Sequence, residues 1–155
     1  MKKKNRNKLV YIALSVDIIH EGHINIIKIA KKYGKVVIGL LTDEAIASYK
    51  SIPYLDYNRR KTIVQNIKYV SKVVPQHTLS YVSNLNLIKP DFVVHGDDWK
   101  SGLQKKTRNE VIKTIKKWSG KLIEPKYTKN ISSTIIQNKI LEFSALPQNR
   151  ISRLK

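Results

Sequence analysis

Short apolar runs rich in β-branched residues, each followed by a stretch with helical spacing, recur along most of this chain, and that alternation restricts the fold more than any other feature. Leu9 to Ser15 (LVYIALS) reads as a strand. Ile24, Ile26, Ile27, Ile29 and Ala30 then recur at helical spacing until Tyr33-Gly34 ends the pattern. Lys35 to Leu41 (KVVIGLL) reads as a second buried strand, and Thr42-Asp43-Glu44 offers an N-cap with acids in the first turn of a following helix. After a loop over Ser51 to Asp56, the spacing predicts a helix from Tyr57 to Val70 and a short strand over Lys72 to Pro75. Leu85, Leu87 and Ile88 belong to a helix stopped by Pro90, and Asp91 to His95 is a strand running into Gly96-Asp97-Asp98-Trp99. Thr107 to Trp118 reads as helix, Leu122-Ile123 as a last strand, and Ser132-Ser133-Thr134 as the cap of a closing helix through Phe143.

Strands of this kind, alternating with helices, imply an α/β fold: a doubly wound parallel sheet with helices on both faces. Ligands of such sheets bind beyond the carboxyl ends of the strands, so Asp17 to His23 and Gly96 to Trp99 are expected on one edge. At 155 residues the chain suffices for one domain. The expected boundaries are a basic tail over 1–8, the domain over 9–143, and a basic tail or linker over 144–155.

No run approaches the roughly 20 apolar residues of a membrane span. The start carries no signal-type apolar region either, so a soluble cytoplasmic protein is expected. The absence of cysteine removes disulfides, thiolate metal sites and a cysteine nucleophile together. A net charge of +19 points first to a polyanionic partner. However, five of the cations fall in the first eight residues and three in the last six, and Lys, Asn and Ile are abundant throughout, as a genome poor in G and C would produce. Nucleic acid is therefore not the expected partner.

Ser15-Val16-Asp17-Ile18-Ile19-His20-Glu21-Gly22-His23 sets two imidazoles three residues apart where a strand becomes a helix, with Gly22 expected to allow a tight backbone path. A helix N-terminus is already a phosphate site, and two imidazole donors would strengthen it where charge develops. Three readings stand at this level: a nucleotide-phosphate cradle, a chance surface pair, or a metal site formed by His20, His23 and a carboxylate such as Asp17. The Walker and GxGxxG patterns are missing.

Asp17-Ile18-Ile19-His20-Glu21-Gly22-His23 between a strand and a helix resembles the D-x-x-H-x-G-H signature of the HxGH nucleotidyltransferases. Leu41-Thr42-Asp43-Glu44 with Lys50 is similar to their segment after the second strand. Tyr57-Asn58-Arg59-Arg60-Lys61 resembles their Y/F-x-x-R helix start, and Gly96-Asp97-Asp98-Trp99 the GDDW of glycerol-3-phosphate cytidylyltransferases. Tyr127 to Thr134 (YTKNISST) is similar to the R-T-E-G-I-S-T-T segment of the same enzymes. The resemblance spans about residues 9 to 140, and HxGH, GDDW and ISST together favour CTP over ATP. Departures are Leu14-Ser15-Val16 for G-T-F, Lys68 for an arginine, and Tyr127 for the arginine of R-T-E-G-I-S. Ala45 to Lys50 and Val93 to Lys100 look closer to cytidylyltransferase domains fused to phosphoenolpyruvate mutase, and Asn149 to Lys155 resembles the joint before that mutase.

The resemblance implies transfer of CMP from CTP to a small molecule bearing a phosphate or phosphonate, such as glycerol 3-phosphate or 2-hydroxyethylphosphonate, with release of pyrophosphate. It assigns His20, His23 and Lys50 to catalysis. Ser15, Asp17, Gly22, Arg60, Gly96, Asp98, Trp99, Thr128, Ser132 and Ser133 are assigned to the nucleotide, with Thr128, Ser132 and Ser133 on the β- and γ-phosphates. Arg60 could instead simply pair with Asp56 four residues earlier, and Asp17 could instead orient the phosphate loop or approach Mg²⁺. Mg²⁺ is expected to arrive bound to CTP, with no metal site of the protein's own. A homodimer is expected as well. His77 and His95 receive no catalytic role. The alternatives are an adenylyltransferase of the same fold and a non-catalytic nucleotide-sensing module.

Overall fold

The computed structural model describes residues 7–145; most of both expected basic tails lies outside the described residues. Five parallel strands form one sheet in the order β3-β2-β1-β4-β5, built from β1 (Leu9–Leu14), β2 (Lys35–Leu41), β3 (Val70–Gln76), β4 (Phe92–Val94) and β5 (Lys121–Ile123). The helices are α1 (Glu21–Lys31), α2 (Asp43–Ala47), α3 (Tyr57–Gln65), α4 (Val82–Ile88), α5 (Lys105–Ile115) and α6 (Ser133–Ser144). Short 3-10 turns over Asp97–Lys100 and Gly102–Gln104 join β4 to α5.

Strand alternation sorts the core into two layers. Val10 and Ile12 of β1 with Val36, Ile38 and Leu40 of β2 pack on Ile27 and Ala30 of α1 and Val64 of α3. Tyr11, Ala13, Val37 and Leu41 face the other way, onto Ala45 and Ile46 of α2, Leu85 of α4, and Val111 and Ile115 of α5. The doubly wound fold expected from the alternation is the one observed. Gly39 has a steric reason: a Cβ there would sit 1.7 Å from the Tyr11 hydroxyl, which donates to the buried Gln76 side chain and accepts from Asn84.

The largest boundary difference from the expected elements is at α3, while β3, β4 and α5 shift by one to three residues at their ends. The helix expected through Val70 ends at Gln65, because Asn66 turns its side-chain amide back onto the Thr62 carbonyl at 2.8 Å, and Val70 already pairs with Val36 as the first residue of β3. The helix expected before Pro90 is present as α4, with Leu85 buried and Leu87 83% exposed. The order of strands reverses between β1 and β4, and the loops that follow those two strands bound the site.

Candidate active site

α1 begins with a reciprocal cap made by two histidines. The Gly22 amide donates to His20 Nδ1 at 3.1 Å, while the His20 amide donates to His23 Nδ1 at 3.3 Å. These are the roles that Ser and Glu play in a conventional capping box, filled here by imidazoles. The chemical consequence is a fixed tautomer. An Nδ1 that accepts a backbone N–H carries no proton, so each neutral ring holds its proton on Nε2. The rings lie 3.9 Å apart between centroids. Burial lowers the pKa of both, and for His23, where His20 and Lys50 add to the effect, to about 3. The pair therefore acts as two neutral donors.

Gly22 is required for a different reason from the one expected. It lies in the first turn of α1, and a Cβ there would come within 2.8 Å of the His20 ring.

The two rings line a cavity of about 370 Å³. Of the expected site residues, the structure brings Ser15, His20, Gly22, His23, Lys50, Gly96, Asp98, Thr128, Ser132 and Ser133 to its wall. Lys50 Nζ reaches the Ser15 hydroxyl at 3.4 Å. Ser132 caps α6 by accepting from the Ile135 amide, Ser133 donates to the Ile18 carbonyl, and Asn25 of α1 meets Thr128 at 3.5 Å. Two helix N-termini, those of α1 and α6, thus open on one cavity together with Lys50 and Lys126.

Three expected nucleotide contacts do not line the cavity. Asp17 is 4% exposed and accepts from the Tyr54 amide at 2.7 Å and from Gln137 Nε2 at 2.9 Å, which ties the loop before α1 to the 51–56 loop and to α6. Asp17 is turned to these partners and lines no part of the cavity that His20 and His23 line, and no group of three or more His, Cys, Asp or Glu placed to hold a metal occurs among the described residues. Arg60 is fully buried and bonds to the Ser15, Leu41 and Leu55 carbonyls and to Asp43; the neighbour that pairs with Asp56 is Arg59. Trp99 is 1% exposed, its Nε1 donating to Glu124 at 2.7 Å.

His95, to which the sequence reading gave no role, does line the cavity. Its ring stacks on Trp99 at 3.8 Å and 7°, and its Nδ1 sits 2.8 Å from the Gly96 carbonyl. A carbonyl can only accept, so this Nδ1 carries the proton and Nε2 keeps a free lone pair. Burial holds the His95 pKa below its ordinary value. Behind it, Arg108 grips Glu124 at 2.7 and 3.0 Å, and that hydrogen bonding holds the Glu124 carboxyl below the usual carboxylate range. The signal available in the sequence was the place of His95, at a strand end directly before the GDDW segment.

A sheet ordered 3-2-1-4-5 with a donor-lined cavity at its switch point defines a Rossmann-like α/β domain. More narrowly, the chain belongs to the Cytidylyltransferase-like family, whose model matches residues 15–139. It is 34% identical over 137 residues to the ethanolamine-phosphate cytidylyltransferase of Dictyostelium discoideum, covering 85% of this chain and 36% of that protein. It is also 33% identical over 105 residues to the FAD synthase of Archaeoglobus fulgidus, covering 63% of this chain and 77% of that one. Among solved structures, the lipopolysaccharide core biosynthesis protein from Thermoplasma volcanium GSS1 superposes with a TM-score of 0.65 at 25% identity, covering 81% of this chain and 99% of that one. The chain thus spans about a third of the length of the ethanolamine-phosphate relative.

Proposed function

We propose that this protein is a cytidylyltransferase that transfers CMP from CTP to a small molecule bearing a phosphate or phosphonate and releases pyrophosphate. The observation that carries the reading is the reciprocal cap of α1, which leaves two neutral Nε2–H donors in one cavity with Lys50 and two helix N-termini. In the reaction an acceptor oxygen forms a bond to the α-phosphorus of CTP while the bond from that phosphorus to the bridging oxygen breaks. The electron pair leaves with pyrophosphate. Charge grows on the bridging and α-phosphate oxygens, where the donors of His20 and His23 would meet it.

Both Nδ1 atoms are engaged by backbone amides, so neither ring of the pair can take a proton while the cap holds. That suits an acceptor needing no base: with a second pKa of about 6, a phosphate is largely dianionic at neutral pH. Lys50 would neutralise the acceptor or the α-phosphate, and Thr128, Ser132 and Ser133 would hold the β- and γ-phosphates at the N-terminus of α6. On the β4 side, the His95 lone pair and the Asp98 carboxylate suit the donors of a cytosine amino group or a ribose. Mg²⁺ carried by CTP would supply further charge neutralisation, and a cavity wall whose one carboxylate among the described residues is Asp98 fits an ion held mainly by nucleotide and water.

The name of the ethanolamine-phosphate relative supports a phosphomonoester acceptor. The resemblance of residues 45–50 and 93–100 to phosphonate-pathway domains supports a phosphonate. A homodimer, common among similar enzymes, and a cytoplasmic location, expected from the composition, are part of the proposal; no described helix is long and apolar enough to cross a membrane. The test is pyrophosphate release from CTP and from ATP with Mg²⁺, offering glycerol 3-phosphate, phosphoethanolamine, phosphocholine, 2-hydroxyethylphosphonate, 2-aminoethylphosphonate and FMN. CTP-dependent release with one acceptor is expected. Release only from ATP makes the protein an adenylyltransferase, and CTP binding without release for any acceptor makes it a sensing module.

A further inference from the structure

Arg60 is a buried cation that lines no part of the cavity, yet it touches the segment from which the cavity is built. Through Nη1 its guanidinium donates to the Ser15 carbonyl at 2.6 Å and the Leu41 carbonyl at 2.8 Å. Through Nε it donates to Leu55 at 3.0 Å, and through Nη2 it pairs with Asp43 at 2.6 Å. One planar group therefore ties together the carboxyl ends of β1 and β2, the 51–56 loop and the first turn of α2.

The residue after Ser15 is the strained one. Val16 has φ 49°, in the left-handed region that L-residues rarely adopt and where a β-branched side chain is a genuine outlier. Its side chain is 2% exposed. Such a conformation persists only where both flanks are held. Arg60 holds the carbonyl before Val16. After it, Asp17 is held by Tyr54 and Gln137, and the Ile18 carbonyl by Ser133. His20, the N-cap of α1, follows two residues later.

We propose that Arg60 is a positioning residue that, by holding the Ser15 carbonyl, keeps Val16 left-handed and so places the His20 and His23 rings, without itself contacting nucleotide or acceptor. The inference rests on the proposed transfer reaction for its kinetic readout and on the fold alone for its spectroscopic one.

The experiment is a cycle of Arg60→Met, Val16→Gly and the double variant, with Arg60→Lys as a milder lesion that can still reach one carbonyl. NMR titration of the histidine rings without nucleotide gives the readout independent of catalysis. In the natural protein His23, facing His20 and Lys50, stays neutral down to about pH 3. In Arg60→Met it is expected to titrate nearer its ordinary value as the ring loses its burial. Adding Val16→Gly, which adopts φ 49° without penalty, is expected to bring the titration back down. Turnover follows the same pattern. Arg60→Met loses about 100-fold in kcat, the scale of an ångström-sized misplacement, with KM for CTP nearly unchanged, and the double variant recovers part of the loss.

Additive effects of the two substitutions in both readouts overturn the proposal, because the clamp then does not act through Val16. A raised KM for CTP with unchanged kcat also overturns it, by making Arg60 a binding residue. If Arg60→Met does not fold, Arg60→Lys with and without Val16→Gly decides the same question. If the natural protein turns over no CTP, the proposed reaction fails while the ring titration still decides the clamp.

Discussion

The two sides of the cavity are built in opposite ways. The α1 side grows out of the central strand: Val16 is buried, Ile27 and Ala30 anchor the helix in the core, and the histidines cap it with hydrogen bonds to its own amides. The α6 side presents the same kind of feature, a helix N-terminus with hydroxyl donors, on a helix of twelve residues without one buried side chain. Ile140, Leu141 and Phe143 of α6 are more than half exposed. The bonds from Gln137 to Asp17 and from Ser133 to the Ile18 carbonyl join it to the loop before α1. An element with few buried contacts opens at low free energy. On the proposed reaction, the donors assigned to developing charge thus lie on the rigid side, and those assigned to the incoming polyphosphate on the side that can shift.

The largest effect should come from the rigid side. Asparagine can place an acceptor near the position of Nδ1 but has no donor where Nε2 lies, so His23→Asn keeps the cap and removes the hydrogen bond proposed to meet the developing charge. Loss of an oxyanion-hole type donor costs about 10²–10³ in kcat. The expected result is a kcat drop of that order with little change in KM for CTP and a thermal midpoint near that of the natural protein. A fall in midpoint with kcat preserved would reverse the roles assigned to the ring, making His23 a structural cap.

The rigid side should also leave its mark on acid stability. The folded pKa of His23 is about 3 against 6.5 for an unperturbed ring. Between those values the unfolded chain binds a proton that the folded one does not, so stability falls as pH drops below 6.5. His20 and His95, whose values are also lowered, act in the same direction. Each pH step of one over which the two states differ by a full proton costs about 1.4 kcal/mol, so His23 alone accounts for about 2 kcal/mol between roughly pH 6.5 and 4.5. Urea unfolding of the natural protein and of His23→Asn at both pH values checks this. The loss on acidification should be smaller by about that amount in the variant, and equal losses would mean that the ring is not held neutral by the fold.

How much of this was legible follows the range of the interactions. β1, α1 and β2 were readable because their periodicity is local and strong. The end of α3 was not, because Asn66 competes with the helix through a bond to Thr62 that spacing does not advertise. The place of the histidine pair at a helix N-terminus was legible; its tautomer was not, since it depends on which backbone amides the two rings accept. Arg60 and Asp17 looked like nucleotide contacts because charged residues near a phosphate loop usually are. Their actual partners lie as far apart in sequence as Ser15 from Arg60 and Asp17 from Gln137, and only the folded chain brings them together. The place of His95 directly before the GDDW segment was the one legible hint that it lines the cavity; its stack on Trp99 and the bond to the Gly96 carbonyl that sets its tautomer appear only in the folded chain.

The smallest effect tests the adjustable side. Gln137→Ala removes the amide that links α6 to Asp17 while leaving Asp17 its bond from the Tyr54 amide. A hydrogen bond to a charged group contributes about 1.5–3 kcal/mol, less where water can replace it, and this one closes the nucleotide side without reaching the reacting atoms. Its loss should therefore appear mainly as a rise in KM for CTP of about five-fold, roughly 1 kcal/mol, with kcat within a factor of two. Isothermal titration with CTP and steady-state kinetics read the two separately. If kcat falls as far as in His23→Asn while CTP affinity is unchanged, the α6 side is as much a part of the reacting geometry as α1, and the division of labour drawn between them does not hold.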